Sequence, residues 1–207
     1  MPQKTATKTS IASLAFELLP GDGGIPVEAH LLPPGPFRAV DGRPGTMEGV
    51  HCQDWQLDAA IGNPEVSAIL LDIDSPGGES GGVFDLADRI RAASEVKPVW
   101  AVANDMAFSA AYALASAATR VFVARTGGVG SIGVIALHVD QSVKDANEGY
   151  RFTAVTAGNR KNDFSPHEAL TPSAKADLQA EVDRLYGLFV DHVAAMRRLD
   201  AADVRGT

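Results

Sequence analysis

The sequence lacks several features that would each have pointed to a particular class of protein. Its 207 residues include a single cysteine, Cys52, which excludes an intramolecular disulfide and favours a reducing compartment. No neighbour in sequence would activate this thiol, so we expect it to be unreactive. The chain also has no apolar run of about 18 residues and no signal peptide. These absences predict a cytoplasmic protein without a membrane span.

An excess of basic charge is absent too. The chain carries 18 Lys and Arg against 26 Asp and Glu, which gives a formal net charge of -8. A surface that binds phosphates needs clustered Lys and Arg, so nucleic acid is excluded as the main partner. Hydrophobic residues make up 45% of the chain and charged residues 21%, as in soluble globular proteins. The length suits an α/β domain with a sizeable core.

Proline and glycine dominate the start of the chain and become sparser later. Residues 1–45 are interpreted as a partly ordered N-terminal arm with one short strand near 25–32, and residues 46–207 as the main domain. After a short helix near 53–61, apolar runs alternate with helical periodicity, which predicts parallel βαβ units. The predicted strands are 66–73, 98–103, 120–124, 132–139 and 152–156, and the predicted helices start at 83, 109 and 172. The last helix is long and carries one apolar stripe to about Leu199.

Two segments follow predicted strands at the edge where α/β folds place their sites. The turn Asp74–Gly78 contains adjacent glycines, whose N–H groups can approach a ligand and face negative charge, although a tight turn alone would also need them. Ser109 joins a strand to a helix of small residues, where N–H groups favour anions. From its position alone, Ser109 is more readily interpreted as a helix N-cap than as a nucleophile.

Two further segments complete the pattern. The loop Gly127–Ile135 is rich in glycine, but its spacing is wrong for a phosphate loop, so no nucleotide is expected there. We predict no metal and no cofactor. The polar loop Thr156–Pro166 carries Lys161, which by itself would be interpreted as a solvated cation.

In this order, the four segments resemble the protease IV or signal peptide peptidase A family of serine–lysine proteases. The family pattern is Asp-x-Pro-Gly-Gly, a serine that opens a small-residue helix, Gly-Ser-Ile-Gly-Val, and a loop with a lysine. The sequence is closest to the lambda-like branch that matures phage capsids, on residues 97–106, 114–118 and 11–16. The resemblance implies a ClpP/crotonase-like α/β fold with a mainly parallel sheet, βαβ units and a long C-terminal helix.

The resemblance also assigns roles to residues. It implies Ser109 as nucleophile, Lys161 as general base, Ser131 as the hydroxyl that orients the lysine, and Gly77 or Gly78 with Ala110 as the oxyanion hole. A lysine with the ordinary pKa of about 10.4 is protonated at neutral pH, and burial favours the neutral amine. We therefore expect Lys161 to be screened from solvent, with Ser109 and Ser131 as neighbours and Asp163 pointing away.

The family implies a protein substrate, namely scaffold or head proteins inside a procapsid in the host cytoplasm. Its members form rings, some with serine and lysine from neighbouring subunits, so we expect a homo-oligomer. Two departures stand out. Ala110 and Ala111 replace the usual Gly-Gly, and the chain stops soon after the long helix, so we expect it to be truncated and its activity to be in doubt.

Four alternatives stay open at this point. His138 could replace Lys161 as the base of a ClpP-like Ser-His-Asp triad. The chain could be a bacterial peptidase that degrades signal peptides, or an acyl-CoA hydratase or isomerase that uses paired N–H groups. It could also be an inactive capsid-assembly protein.

Overall fold

The computed structural model describes residues 57–64 and 66–206 in full, and the backbone of residues 11–18 and 27–28. Cys52 and the start of the helix predicted near 53–61 lie outside the described residues. The chain divides into two compact units. The first unit is Met1–Ile132 with Phe189–Thr207, and the second is Gly133–Leu188.

The first unit contains a six-stranded sheet with the order β2-β1-β3-β4-β5, in which β6 also pairs with β4. Every pairing is parallel except that between β1 and β2. The strands are β1 (Ile11–Leu18), β2 (Val27–Glu28), β3 (Ala68–Ser75), β4 (Val99–Phe108), β5 (Arg120–Val123) and β6 (Gly128–Gly130). The predicted α/β class with a mainly parallel sheet is confirmed. β1 was not predicted, whereas β2 falls within the short strand expected near 25–32.

Helices begin close to residues 83, 109 and 172 as predicted, whereas the short helices Ser142–Asn147 and Ala201–Arg205 were not predicted. Residues 57–62 are helical and are called α1. The others are α2 (Val83–Val96), α3 (Ala110–Ala117), α4 (Ser142–Asn147), α5 (Pro172–Arg197) and α6 (Ala201–Arg205). The long C-terminal helix is confirmed as α5, whose last part, from Phe189, belongs to the first unit. None of the helices within the described residues is long and apolar enough to cross a membrane.

The core lies on one face of β3 and β4. Side chains alternate along a strand, so every second residue is buried from Ile69 to Ser75 in β3 and from Val99 to Ala103 in β4. Helices α2 and α3 supply the other side of this core. Because α3 is built almost wholly of alanine on its buried positions, its backbone can pack close to the sheet.

β4 is longer than its sequence pattern predicted, and this length positions the end of the strand. Its first half pairs with β5 and its second half, Met106–Phe108, pairs with β6. A β-carbon on Gly128 would lie 2.7 Å from the Phe108 ring, so this close pairing requires glycine. β4 therefore carries the chain to Ser109 beside Gly130, at the carboxyl edge of the sheet.

In the second unit the predicted strands 132–139 and 152–156 are wrong. Neither segment forms a strand with the residues that the structure describes. Apolar alternation predicts a strand only where one face can be buried. Here Ile135 is 83% exposed, Leu137 87% and Val155 95%, so the described residues form no such buried face for these segments.

Candidate active site

Ser109 occupies a strained turn between β4 and α3. Its backbone angles are φ 52° and ψ −125°, a combination that is costly for a residue with a β-carbon. Its hydroxyl makes no capping hydrogen bond to α3, and an N-cap would normally have an extended backbone. These observations argue against the capping role. A strained strand-to-helix turn is the geometry that presents a nucleophilic serine.

Hydrogen bonds on both sides hold this turn in place. The N–H of Ser109 donates to the Gly130 carbonyl of β6 at 2.8 Å. The Ser109 carbonyl accepts from the N–H groups of Tyr112 and Ala113 in α3, at 2.9 and 3.1 Å. The sheet and the helix therefore both stabilise the strained conformation.

The glycine turn after β3 packs directly on Ser109. Gly77 has φ 102°, and a β-carbon there would lie 2.5 Å from Ser109 Cβ and 3.1 Å from Ser109 Oγ. The N–H of Gly77 donates to the hydroxyl of the buried Ser75 at 3.0 Å, which fixes the turn. Gly77 and Ser109 are therefore in contact, although they are more than thirty positions apart in the sequence.

The N–H groups of this region differ in availability. The N–H of Gly77 is already used by Ser75. In contrast, the N–H groups of Gly78 and Ala110 donate to no partner among the described residues. Of the N–H groups predicted as oxyanion donors, these two are therefore without a hydrogen-bond acceptor among the described residues.

Ser131 directly follows β6 and has φ 53°, so it is a second serine in the left-handed region. Ser131 belongs to the first unit and is exposed to solvent. Its neighbour Gly130, with φ 112°, supplies the carbonyl that binds the N–H of Ser109. The backbone around Ser131 is therefore tied to the backbone of Ser109.

Lys161 lies in the second unit, on a loop of consecutive turns. Its N–H donates to the Gly158 carbonyl at 3.2 Å. The prediction that Lys161 is screened from solvent is wrong for this single chain, because the residue is exposed. The Asp163 carboxylate accepts from Arg160 Nε at 2.7 Å, and no residue in the described ranges forms an ion pair with Lys161.

His138, the alternative base, also lies in the second unit. Its Nε2 is 3.0 Å from the Ser165 carbonyl. A ring nitrogen that donates to a carbonyl cannot accept a proton, so only Nδ1 would be left for catalysis. The contact gives His138 a role in holding the loop that carries Lys161.

Sequence reasoning missed a histidine–aspartate pair at the end of the same loop. His167 Nδ1 lies 2.8 Å from Asp145 Oδ2 of α4, and the Phe152 ring stacks on His167 with centroids 3.6 Å apart. The Gln141 N–H donates to the Pro166 carbonyl at 2.8 Å. No sequence signal links residues 22 positions apart in this way. Within the part of the chain that the structure describes, no three His, Cys, Asp or Glu residues cluster as metal ligands.

The chain is similar to a known protein family and to proteins of two phages. A family model described as Peptidase family S49 matches residues 91–206, which is more than half of the chain. Head-tail preconnector protein GP5 of Enterobacteria phage P21 is 40% identical over 172 residues, covering 83% of this chain and 33% of the relative. Capsid assembly protease C of Escherichia phage lambda is 35% identical over 193 residues, covering 93% and 43%. The chain spans a third to less than half of the length of these curated relatives.

Solved structures were compared as well. A membrane-bound stomatin-specific protease in complex with a substrate peptide is 18% identical and covers 75% of this chain and 58% of its own, with a TM-score of 0.43. An enoyl-CoA hydratase from Polaromonas sp. JS666 is 16% identical and covers 69% of each chain, with a TM-score of 0.33.

Proposed function

Because the chain belongs to peptidase family S49, as the order of its four motifs predicted, we propose that it is a serine endopeptidase with Ser109 as nucleophile and Lys161 as general base. The observation that carries the proposal is the turn at Ser109. Its backbone is strained, its hydroxyl is not used as a helix cap, and Gly77 packs against its side chain. A serine at such a turn has its Oγ free for attack.

The proposed reaction follows acyl transfer to serine. The neutral amine of Lys161 accepts the proton of the Ser109 hydroxyl, and Oγ bonds to the carbonyl carbon of the scissile peptide. The N–H groups of Gly78 and Ala110 donate to the oxygen that becomes negative. Lys161 then gives the proton to the departing amine, and water hydrolyses the ester with the same base.

A lysine base needs surroundings that favour the neutral amine. Ser131 is proposed to orient this amine through its hydroxyl. Lys161 is exposed in the single chain, so a second subunit would have to exclude water from it. This requirement supports a homo-oligomer in which the dyad is completed by assembly.

The substrate is proposed from the relatives. Two of them are named as a capsid assembly protease and a head-tail preconnector protein, both of phages. We propose a phage or prophage capsid maturation protease that cleaves scaffold or head proteins in the host cytoplasm or procapsid. The net charge of -8 supports a protein rather than a nucleic acid as partner.

The proposal is tested with a fluorophosphonate probe, which acylates an activated serine in the manner of a substrate. We expect wild type to be labelled at Ser109, S109A to be unlabelled, and K161A to react at least about 100-fold more slowly. H138Q is the matched control, because its amide can still donate to the Ser165 carbonyl, and it is expected to react like wild type. Loss of labelling in H138Q but not in K161A would replace the dyad with a Ser–His mechanism.

A second role, in capsid assembly without catalysis, is favoured by one observation, the name of the phage P21 relative. It predicts that neither this chain nor a longer form with the relatives' remaining length is labelled by the probe. Labelling of either form at Ser109 decides for the protease.

A further inference from the structure

Arg160, the residue before Lys161, is held between two carboxylates. Its Nε donates to Asp163 Oδ2 at 2.7 Å, and its guanidinium also pairs with Asp177 of α5. The hydrogen bond to Asp163, followed by that to Asp177, raises the pKa of Arg160 above its ordinary value. A guanidinium is always charged in proteins, so this pairing persists wherever the Asp163 and Asp177 carboxylates are ionised.

The pairing closes a turn around Lys161. The N–H of Asp163 donates to the Arg160 carbonyl at 3.3 Å, and the two side chains meet across the same turn. Lys161 and Asn162 are the central residues of the turn. The Asp163 side chain is only 17% exposed, because the Arg160 side chain lies against it.

Without Arg160, the Asp163 carboxylate could stabilise the charged form of Lys161, which cannot act as a base. It lies two positions after Lys161, within reach of a lysine side chain. A carboxylate within about 4–6 Å of an amine stabilises the ammonium form and shifts its titration by 1–3 units. An ammonium has no lone pair and cannot accept the proton of a serine.

We propose that Arg160 is a positioning residue that keeps the Asp163 carboxylate away from the Lys161 amine. The inference rests on the proposed role of Lys161 as general base. It adds an element that neither the motifs nor the comparisons contain, namely a cation whose function is to neutralise a neighbouring acid.

The remaining charged groups around the loop already have partners. Glu168 accepts from the Asn162 amide, and Asp145 pairs with His167. Asp177 shares Arg160 with Asp163. Loss of Arg160 therefore frees two carboxylates, and only Asp163 belongs to the turn that contains Lys161.

The experiment measures the rate of fluorophosphonate acylation of Ser109 between about pH 6 and pH 10, a range that reaches the ordinary titration of lysine. Arg160→Gln removes the cation and is expected to slow acylation at neutral pH at least about tenfold and to move the pH profile to higher pH. Arg160→Gln with Asp163→Asn is expected to recover most of the rate. Asp163→Asn alone should react like wild type.

Asp177→Asn is the matched control, because it breaks the tie to α5 but leaves Asp163 paired. It is expected to change the rate by less than about threefold, since exposed ion pairs contribute little to stability. If the double variant is no faster than Arg160→Gln, or if Arg160→Gln matches wild type, the inference is wrong.

Lys161→Ala separates this inference from the proposed function. Normal labelling of Lys161→Ala overturns both. A dead Lys161→Ala with an unaffected Arg160→Gln overturns the role of Arg160 only. Circular dichroism of each variant shows whether a slow rate comes from unfolding. If Arg160→Gln is slow because it unfolds, the added Asp163→Asn substitution should not restore the rate.

Discussion

The backbone conformation of Ser109 is strained because the residue has a β-carbon. At φ 52° and ψ −125°, a residue with a β-carbon is strained by about 1–3 kcal/mol, whereas glycine tolerates such angles. We predict that S109G unfolds at a higher temperature than S109A. The relief of strain, less the cost of glycine's larger entropy in the unfolded chain, should make S109G more stable by about 1 kcal/mol.

Both variants lack the hydroxyl and should be inactive, so the comparison isolates strain. Thermal unfolding followed by circular dichroism measures it. Equal unfolding temperatures, or a less stable S109G, would contradict stored strain at the turn.

Gly77 supports the same turn from the other side. G77A would place a β-carbon 2.5 Å from Ser109 Cβ and 2.9 Å from the Phe108 carbonyl, at a φ that alanine resists. We expect a loss of about 2–3 kcal/mol in unfolding free energy and the loss of probe labelling.

G81A is the matched control on the same loop, because a β-carbon at Gly81 meets no atom within 4 Å. Its stability and labelling should stay close to wild type. A tolerated G77A would show that Gly77 does not pack on Ser109 as described.

At this scale the sequence predicted which residues matter but not how they are arranged. The Asp74–Gly78 turn and Ser109 were selected because each follows a strand. The strain at Ser109 and the contact with Gly77 depend on the non-local pairing of β3 with β4, which no local pattern encodes. Asp163 was expected to point away from Lys161, because a general base must be neutral. The sequence did not indicate that Asp163 would pair with Arg160 instead.

At the scale of elements, α5 is joined to α3 by a half-buried histidine. His192 Nε2 lies 3.0 Å from the Ala113 carbonyl, with the Phe84 ring of α2 beside it. Burial lowers the pKa of His192, against smaller opposing effects of the Ala113 hydrogen bond and Asp88. The unfolded state therefore binds more protons than the folded state as the pH falls.

The sign of the pH effect follows from this. The stability that neutral His192 contributes is complete above its ordinary pKa of about 6.5 and is lost as the pH falls below it. We predict that H192Q, whose amide can still donate to Ala113, loses less in unfolding temperature than wild type between about pH 7.5 and 5.5. Identical slopes for the two proteins would exclude His192 as the cause.

The elements themselves were predicted to unequal degrees. β3, α2 and α3 follow local patterns, namely a continuous apolar run and helical periodicity, and the structure has them nearly where predicted. The second half of β4 was missed because residues 104–108 mix polar and small side chains, and β6 stabilises them only through tertiary pairing. The strands at 132–139 and 152–156 were wrong because their alternation finds no partner among the described residues.

At the scale of the whole molecule, exposed apolar side chains concentrate in the second unit. Ile135 and Leu137 are the clearest of them, on a segment that belongs to no helix or strand among the described residues. Exposed apolar side chains that lie close together mark surfaces that bind another protein. We predict that the protein is a homo-oligomer and that I135K/L137K lowers its mass in light scattering.

V96K is the control, since Val96 is 66% exposed on α2 in the first unit. It should leave the mass unchanged. A monomeric wild type, or a double variant with unchanged mass, would count against assembly through this segment. Reduced acylation of Ser109 together with the reduced mass would support a dyad that assembly completes.

The hydrogen bond from Ser109 to Gly130 also orders events in time. The strained turn needs Gly77 and Gly130, which lie on opposite sides of Ser109 in the sequence. Closing both loops costs entropy before the turn gains any support. During synthesis, the start of β4 can form before Gly130 has emerged from the ribosome, but the turn at Ser109 cannot. Ser109 thus acquires its strained conformation only once Gly130 is available, later than the start of β4 forms.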